Sequence, residues 1–335
     1  MGSVVDMDQR TLGRTDRTVS AIGLGTWQLG ADWGEVSEEQ ALEVLAAAVD
    51  AGVTLLDTAD VYGDGRSERI LGRFLREHDG LTVATKMGRR VEQVPENYRL
   101  DHFREWTDRS RRNLGVEVLD LVQLHCPPSA TIADDATWDA LDTLVAEGAV
   151  AAYGVSVETC DQALAAIARP GCASVQIILN AFRLKPLDEV LPAAREAGVG
   201  ILARVPLASG LLSGKYDEST TFAEDDHRHY NRDGSAFDVG ETFAGVDYAT
   251  GVEAAREFTA LVREHGPEGA TPAQVALAWC AQQEGVSTVI PGARSAEQAR
   301  ANAAAGELPA LSPALFDGVR ALYDARLREQ VHTRW

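Results

Sequence analysis

The feature of this 335-residue chain that most constrains its fold is an alternation of short apolar runs with segments of helical periodicity. Eight runs have the length and the β-branched content of buried strands, at 21–24, 54–56, 82–85, 119–124, 151–155, 174–179, 200–205 and 287–290. Strands that alternate with helices form parallel sheets through right-handed crossovers. Eight such units predict an α/β protein whose strands close into a (β/α)8, or TIM, barrel.

The helical segments carry their own boundary signals. They are predicted at 37–51, 67–78, 102–114, 135–147, 160–168, 187–197, 252–265, 272–283 and 296–305. Ser37 and Gln40 have capping-box spacing, and Thr271 stands before a proline at the first helical position. Gly23-Leu-Gly25 lacks the third glycine of a dinucleotide-binding Rossmann fingerprint. No linker rich in Pro, Gly or Ser divides the chain, so residues 1–335 are predicted to form a single domain.

Two segments lie outside the repeat. Residues 10–13 and 17–20 flank a polar turn, which predicts an N-terminal β-hairpin that plugs one end of the barrel. Residues 213–248, after the seventh strand, form a long, charged connection that is rich in Tyr and Phe. Connections of this length tend to be functional, and this one is expected over the carboxyl face, where barrels form their active sites.

Charge and composition exclude several classes of partner. The net charge of −20 opposes binding to nucleic acid or to an anionic membrane surface. No apolar run approaches the ~18 residues of a membrane span, and the polar start of the chain lacks a signal-peptide pattern, so a cytoplasmic location is expected. The four cysteines are scattered without metal-ligand spacing, and no metal site is predicted.

Four side chains that bear chemistry follow consecutive strands. Asp57 and Tyr62 come at and beyond the end of the second strand, Lys86 ends the third, and His125 ends the fourth. In a closed barrel the carboxyl ends of the strands converge, so these groups are expected to meet at one rim. Taken singly, each also fits a structural role, such as a helix cap for Asp57 or a solvated strand end for Lys86.

Together, the four groups are equipped to protonate an alkoxide as it forms. A tyrosine has a pKa near ~10, and a nearby ammonium such as that of Lys86 is expected to lower it. Asp57 would compensate and position Lys86, while His125 would hydrogen-bond the substrate oxygen. None of these groups can supply a hydride, so a cofactor is required.

These residues resemble those of the aldo-keto reductases, nearly from end to end of the chain. The matching motifs are Gly13, Gly23-Leu-Gly25-Thr26-Trp27, Asp57-Thr-Ala-Asp-Val-Tyr62-Gly63, Lys86, Leu119-Asp-Leu-Val-Gln-Leu-His125, Tyr153-Gly-Val-Ser156, Pro206-Leu-Ala-Ser-Gly-Leu-Leu-Ser-Gly-Lys215, Ile290-Pro-Gly292 and Asn302. The resemblance implies the (β/α)8 barrel, an NADPH or NADH cofactor, and reversible reduction of a small-molecule carbonyl compound to an alcohol. It also implies catalytic roles for Asp57, Tyr62, Lys86 and His125.

The resemblance further implies which residues bind cofactor and substrate. The implied cofactor residues are Gly25, Thr26, Trp27, Asp57, Ser156, Gln176, Arg204, Pro206, Leu207, Ser209, Gly210, Leu211, Lys215, Gly292, Arg294, Gln298 and Asn302. Arg294 offers a fixed fork of donors to a 2′-phosphate at a helix start, which favours NADPH over NADH. The implied substrate residues are Trp27, Trp33, Tyr62 and His125.

Two positions depart from the family pattern. Val157 stands where the family commonly has Asn, so one hydrogen bond to the nicotinamide carboxamide is expected to be lost. Arg204 stands where an aromatic residue usually stacks on the nicotinamide ring. A guanidinium plane can also stack on a ring, and its charge is expected to favour the reduced, uncharged ring over the oxidised one.

The sequence leaves some alternatives open. Potassium-channel β subunits resemble the same family and keep the same four residues, so a cofactor-binding regulatory subunit is the rival function. A keto-sugar reductase that performs one tailoring step is a narrower enzymatic alternative. The aromatic ring of Trp335 could pack over the barrel or onto a neighbouring subunit, so a homo-oligomer also remains open.

Overall fold

A computed structural model describes residues 7–30, 36–232, 235–236 and 240–335. Its strands are β1 Gln9–Thr11, β2 Thr18–Ser20, β3 Leu24–Gly25, β4 Leu55–Asp57, β5 Thr82–Met87, β6 Leu121–His125, β7 Tyr153–Ser156, β8 Cys172–Ile178, β9 Gly200–Arg204 and β10 Val286–Val289. Strands β3 to β10 form one parallel sheet in chain order. Each overlaps one of the eight predicted apolar runs.

The sheet closes between its first and last strands. Gly23 N donates to Val289 O at 2.8 Å and Gly25 N donates to Pro291 O at 2.9 Å, and parallel bridges join Ile22 to Val289 and Gly25 to Gly292. The predicted (β/α)8 barrel is therefore confirmed. Its closure places the loops after β10 directly beside those after β3 and β4.

The helices surround the barrel. They are α1 Glu38–Asp50, α2 Arg66–Phe74, α3 Leu100–Leu114, α4 Ser129–Ala133, α5 Asp135–Ala146, α6 Cys160–Ile167, α7 Val190–Ala197, α8 His227–Tyr230, α9 Tyr248–His265, α10 Pro272–Ala281, α11 Ala296–Ala303, α12 Pro313–Arg326 and α13 Arg328–Val331. The capping boxes at Ser37 and Thr271 are both formed. Helix α12 was not predicted from the sequence, although Ser312 caps its first turn ahead of a proline.

The predicted N-terminal hairpin is present and fills one end of the barrel. β1 and β2 pair antiparallel, and the buried side chains of Leu12 and Val19 join an apolar cluster with Leu55 of β4 and Leu202 of β9. The backbone of Gly13 lies tightly against the barrel, because a Cβ there would be 2.1 Å from Ala173 O. The other, carboxyl end of the barrel is left for the site.

The described part of the connection 213–248 reaches that carboxyl end with His227 and Glu241, and it also carries a cluster of aromatic rings. It contains α8 and a 3-10 turn, Thr242–Gly245. Its ring contacts join Tyr216, Phe222, Phe243 and Tyr248. No helix in the described ranges combines the length and hydropathy needed to cross a bilayer. That residues 1–335 form one domain stays a prediction.

Candidate active site

Lys86 lies near the carboxyl end of β5. It is only 1% exposed, and its ammonium donates to Asp57 Oδ1 at 2.5 Å, to Thr58 O at 2.9 Å and to the Tyr62 hydroxyl at 3.5 Å. All three partners belong to β4 or to the turn that follows it. The pairing of neighbouring strands β4 and β5 therefore brings acid, ammonium and phenol together.

Tyr62 is presented to the cavity by a tight turn after β4. Its N–H donates to Ala59 O at 3.1 Å, and Gly30 lies so close to the turn that a Cβ on Gly63 would be 1.8 Å from Gly30 O. The centroid of the phenol ring is 6.0 Å from that of His125, nearly edge-on. The four residues predicted to converge thus lie in one cluster at the rim.

The charges of this cluster correct one expectation from the sequence. Burial raises the pKa of Tyr62 and outweighs the opposing effect of the Lys86 ammonium, while the carboxylates of Asp57 and Glu241 raise it further. For Lys86, burial lowers the pKa, but the attraction of Asp57 and Tyr62 outweighs it and the net shift is upward. The phenol is therefore held in its protonated form, contrary to the predicted lowering of its pKa.

Gln176 on β8 adds a hydrogen-bond partner to the cluster of Asp57, Lys86, Tyr62 and His125. Its amide nitrogen donates to Asp57 Oδ2 at 2.8 Å, so both carboxylate oxygens of Asp57 have a buried partner. Ser156 on β7 lies on the same wall and is 1% exposed. Both residues are among the cofactor residues that the resemblance implies, and both line the cavity described next.

A cavity of about 680 Å³ opens at the carboxyl rim beside Tyr62. Most of the predicted cofactor residues line it, namely Gly25, Thr26, Trp27, Asp57, Ser156, Gln176, Arg204, Pro206, Leu207, Ser209, Gly210, Gly292, Arg294 and Gln298. Three predicted residues are not on its wall. The Leu211 side chain is fully buried in the core, Lys215 is exposed, and the Asn302 amide donates to Gly292 O at 3.1 Å.

The wall on the β9 and β10 side fits an extended phosphate-bearing group. Ser209 and Gly210 both have positive φ, 56° and 99°, which turns this backbone sharply beside the cavity. Arg294 is exposed just before α11, and Gln298 accepts a hydrogen bond from its backbone N–H at 2.9 Å. Gln28 Oε1 is buried and has no hydrogen-bond partner among the described residues. The cavity thus offers backbone turns, a cation and a spare acceptor to a dinucleotide.

Several residues of the cavity wall were not predicted from the sequence. Gln28, Arg89, His227 and Glu241 all line the cavity. Glu241 Oε2 lies 3.2 Å from Arg204 Nη1, so the residue that replaces the expected aromatic has a charged partner. The only signal in the sequence was the unusual length of the connection 213–248, which carries both His227 and Glu241.

Trp27 and His227 form the outer part of the wall. Their ring centroids are 5.6 Å apart, and that of Trp27 is 6.2 Å from that of Tyr62. Burial lowers the pKa of His227 to about 3, against the attraction of Asp226. This imidazole is therefore uncharged near neutral pH. Trp33, the other predicted substrate residue, lies outside the described residues.

The barrel, the buried Lys86–Asp57 pair beside a phenol and the adjoining cavity define the class of an oxidoreductase built to bind a dinucleotide. The chain belongs to the aldo/keto reductase family, whose model matches residues 21–324. It is 29% identical over 301 residues to the aldo-keto reductase YhdN of Bacillus subtilis, covering 88% of this chain and 87% of that one. A probable voltage-gated potassium channel subunit beta of Oryza sativa is 30% identical over 338 residues, covering 96% and 98%.

Solved structures agree with this assignment. A glycerol dehydrogenase from Gluconobacter oxydans superposes with a TM-score of 0.76 at 29% identity, covering 97% of this chain and 96% of that one. An aldo-keto reductase from Klebsiella pneumoniae in complex with NADPH superposes with a TM-score of 0.70 at 25% identity, covering 95% and 96%. The chain is accordingly an enzyme of the aldo-keto reductase class.

Proposed function

We propose that this enzyme uses NADPH to reduce an aldehyde or ketone to an alcohol, with Tyr62 as the acid. The observation that carries the proposal is the buried chain from Asp57 through the Lys86 ammonium to the Tyr62 hydroxyl. When bound, the dinucleotide supplies the hydride that reduces the carbonyl carbon. The protein's part is to hold the substrate oxygen and to deliver a proton to it.

Tyr62 is suited to this proton transfer. Its raised pKa keeps the phenol protonated until an alkoxide, a much stronger base, forms at the substrate oxygen. The Lys86 ammonium, 3.5 Å from the hydroxyl, stabilises the phenolate that remains. The imidazole of His125, packed edge-on against the phenol, orients the same oxygen. Asp57 keeps Lys86 charged and in place.

The same cavity holds the groups that would bind the cofactor. The turn at Ser209 and Gly210 would cradle the pyrophosphate, while Ser156 and Gln176 would hold the carboxamide. Arg294, at the start of α11, would contact a 2′-phosphate, which favours NADPH over NADH. The relative from Klebsiella pneumoniae, solved with NADPH, supports this choice of cofactor.

The proposal is tested by following the absorbance of NADPH and of NADH against a panel of aldehydes, ketones and keto-sugars. The expected result is substrate-dependent oxidation that is faster with NADPH. Substitution of Arg294 by Ala should raise KM for NADPH and leave KM for NADH nearly unchanged, because only NADPH carries the 2′-phosphate. Absence of oxidation with every carbonyl compound would contradict the proposal.

A cofactor-binding regulatory subunit is the second candidate. It is favoured by the 30% identity to the rice protein described as a probable channel subunit. Co-purification from the native membrane fraction, combined with a turnover assay, distinguishes the two functions. A stoichiometric membrane partner with no turnover would favour the regulatory subunit.

A further inference from the structure

An ion pair that the family resemblance did not predict lies on the wall where the nicotinamide ring is proposed to bind. Arg204 Nη1 and Glu241 Oε2 are 3.2 Å apart, and each side chain is only 10% exposed. Arg204 also donates to Val157 O at 3.3 Å. The backbone oxygen of Glu241 accepts a hydrogen bond from Ser209 Oγ at 3.4 Å. Glu241 therefore touches two residues of the proposed cofactor site.

Trp335 and Arg183 hold the backbone next to Glu241. The guanidinium carbon of Arg183 lies 3.5 Å from the centroid of the Trp335 ring, and Arg183 Nη1 donates to Gly240 O at 3.2 Å. Gly240 has a φ of +91°, and a Cβ on it would lie 2.0 Å from the Trp335 ring. The indole is 6% exposed. It thus packs over the barrel and restricts where Glu241 can lie.

We propose that Glu241 is a cofactor-site residue that sets the relative affinity for oxidised and reduced cofactor by neutralising Arg204, and that Trp335 positions it. The inference rests on the proposed function, in which Ser156 and Gln176 hold the nicotinamide carboxamide, and on the expectation from the sequence that the ring lies against Arg204, which lines the same cavity. The oxidised ring carries a positive charge that the reduced ring lacks. The ratio of the two affinities therefore responds to the net charge of the wall beside the ring.

The sign of each charge determines the direction of the effect. Arg204 alone would repel the oxidised ring and would favour NADPH. The Glu241 carboxylate cancels most of this repulsion at a short distance, so the intact pair permits both redox forms to bind. Buried charges are screened weakly by salt, and the effect should persist at physiological ionic strength. An enzyme with this pair is suited to reversible turnover.

The direct test is Glu241→Gln, which removes the charge and keeps the shape. Isothermal calorimetry with NADP+ and with NADPH gives the two values of Kd without any turnover. The ratio of Kd for NADP+ to Kd for NADPH is expected to rise about tenfold. The double variant Arg204→Gln with Glu241→Gln removes both charges and should return the ratio towards that of the wild type. An unchanged ratio in Glu241→Gln would overturn the proposal.

Substitution of Trp335 tests its positioning role. Trp335→Ala should raise the same ratio, whereas Trp335→Phe, which keeps a ring against Arg183, should change it much less. In a Glu241→Gln background, Trp335→Ala should leave the ratio unaltered, because the charge that it positions is already gone. A purely structural role would weaken both nucleotides equally in either background. If the wild type binds neither nucleotide, the proposed function fails; if it binds both but the ratio never moves, only this inference fails.

Discussion

The Lys86 ammonium donates hydrogen bonds to three oxygens within one buried cluster. The fold is therefore sensitive to the loss of its charge. Removing one member of a buried ion pair leaves the other charge without compensation. Lys86→Met should therefore lower the free energy of unfolding by about 3–5 kcal/mol and abolish turnover. Urea unfolding monitored by circular dichroism measures the loss.

The double variant Asp57→Asn with Lys86→Met provides the matched control. It removes both charges, so most of the lost stability should return while turnover stays absent. Equal destabilisation in the single and double variants would show that packing, and not the uncompensated carboxylate of Asp57, determines the loss.

A second prediction for a single residue concerns Asp60 and the dependence of stability on pH. Its side chain is fully buried, and neither carboxylate oxygen has a hydrogen-bond partner among the described residues. Burial, reinforced by the nearby charge of Glu68, raises its pKa from 3.8 to about 7. Between these two values the unfolded chain has released a proton that the native protein keeps, so the free energy of unfolding falls as the pH rises and then levels off.

Asp60→Asn should remove this pH dependence. The free energy of unfolding of the variant minus that of the wild type should increase by about 2–4 kcal/mol as the pH rises from about 4 to about 8. Urea unfolding at each pH measures this difference. Asp139→Asn, at an exposed position in α5, is the control and should show no such gain. A flat difference between Asp60→Asn and the wild type across this range would contradict the prediction.

What could be predicted at this scale was the identity of the four rim residues, because the carboxyl ends of parallel strands converge. The direction of the pKa shift at Tyr62 could not be, because it depends on how deeply the hydroxyl is buried. The position of Glu241 in the cavity wall could not be predicted either. Its position depends on contacts of Gly240 with Trp335 and Arg183, which lie 95 and 57 residues away in the chain.

Among the elements, the N-terminal hairpin packs against the barrel at a position where only glycine fits. Gly13 has a φ of +52°, and a Cβ there would lie 2.1 Å from both Ala173 O and Gly200 N. Gly13→Ala should displace the hairpin from the barrel and cost about 3 kcal/mol or more. Gly115→Ala is the control, since its φ is also positive, +70°, but a Cβ there has nothing within 4 Å.

Comparison of the two variants separates the stability lost through backbone strain from the stability lost through a steric clash with the barrel. Backbone strain alone should cost about 1–2 kcal/mol at Gly115, and the excess at Gly13 reports the close contact with the barrel. Thermal unfolding of the two proteins in parallel gives the comparison. Equal losses would show that the hairpin can shift without disturbing the plug.

The strands and most helices could be predicted because their apolar periodicity and caps are local. α12 was missed although Ser312 and Pro313 mark its start, because it follows the eighth βα unit and the barrel pattern does not require it. The sequence predicted that the connection 213–248 lies over the carboxyl face, but the conformation of its described part could not be predicted. Its shape comes from ring contacts such as that of Phe243 with Tyr248, whose centroids are 4.9 Å apart.

In the whole molecule, barrel closure joins two halves of one site. β4 to β6 contribute the acid, ammonium and imidazole, whereas the segments after β9 and β10 contribute the turn at Gly210 and the cation of Arg294. Residues from both halves line one cavity only because β3 pairs with the end of β10. A family resemblance could identify both halves in the sequence, but their common cavity of about 680 Å³ required the closed ring.

The most direct test of the central claim is a single-turnover comparison of Tyr62→Phe with the wild type, using saturating NADPH and the best carbonyl substrate. If Tyr62 donates the proton, the variant should bind NADPH with a Kd close to that of the wild type and oxidise it ~100-fold or more slowly. An equal rate of NADPH oxidation in the two proteins would remove Tyr62 from that role.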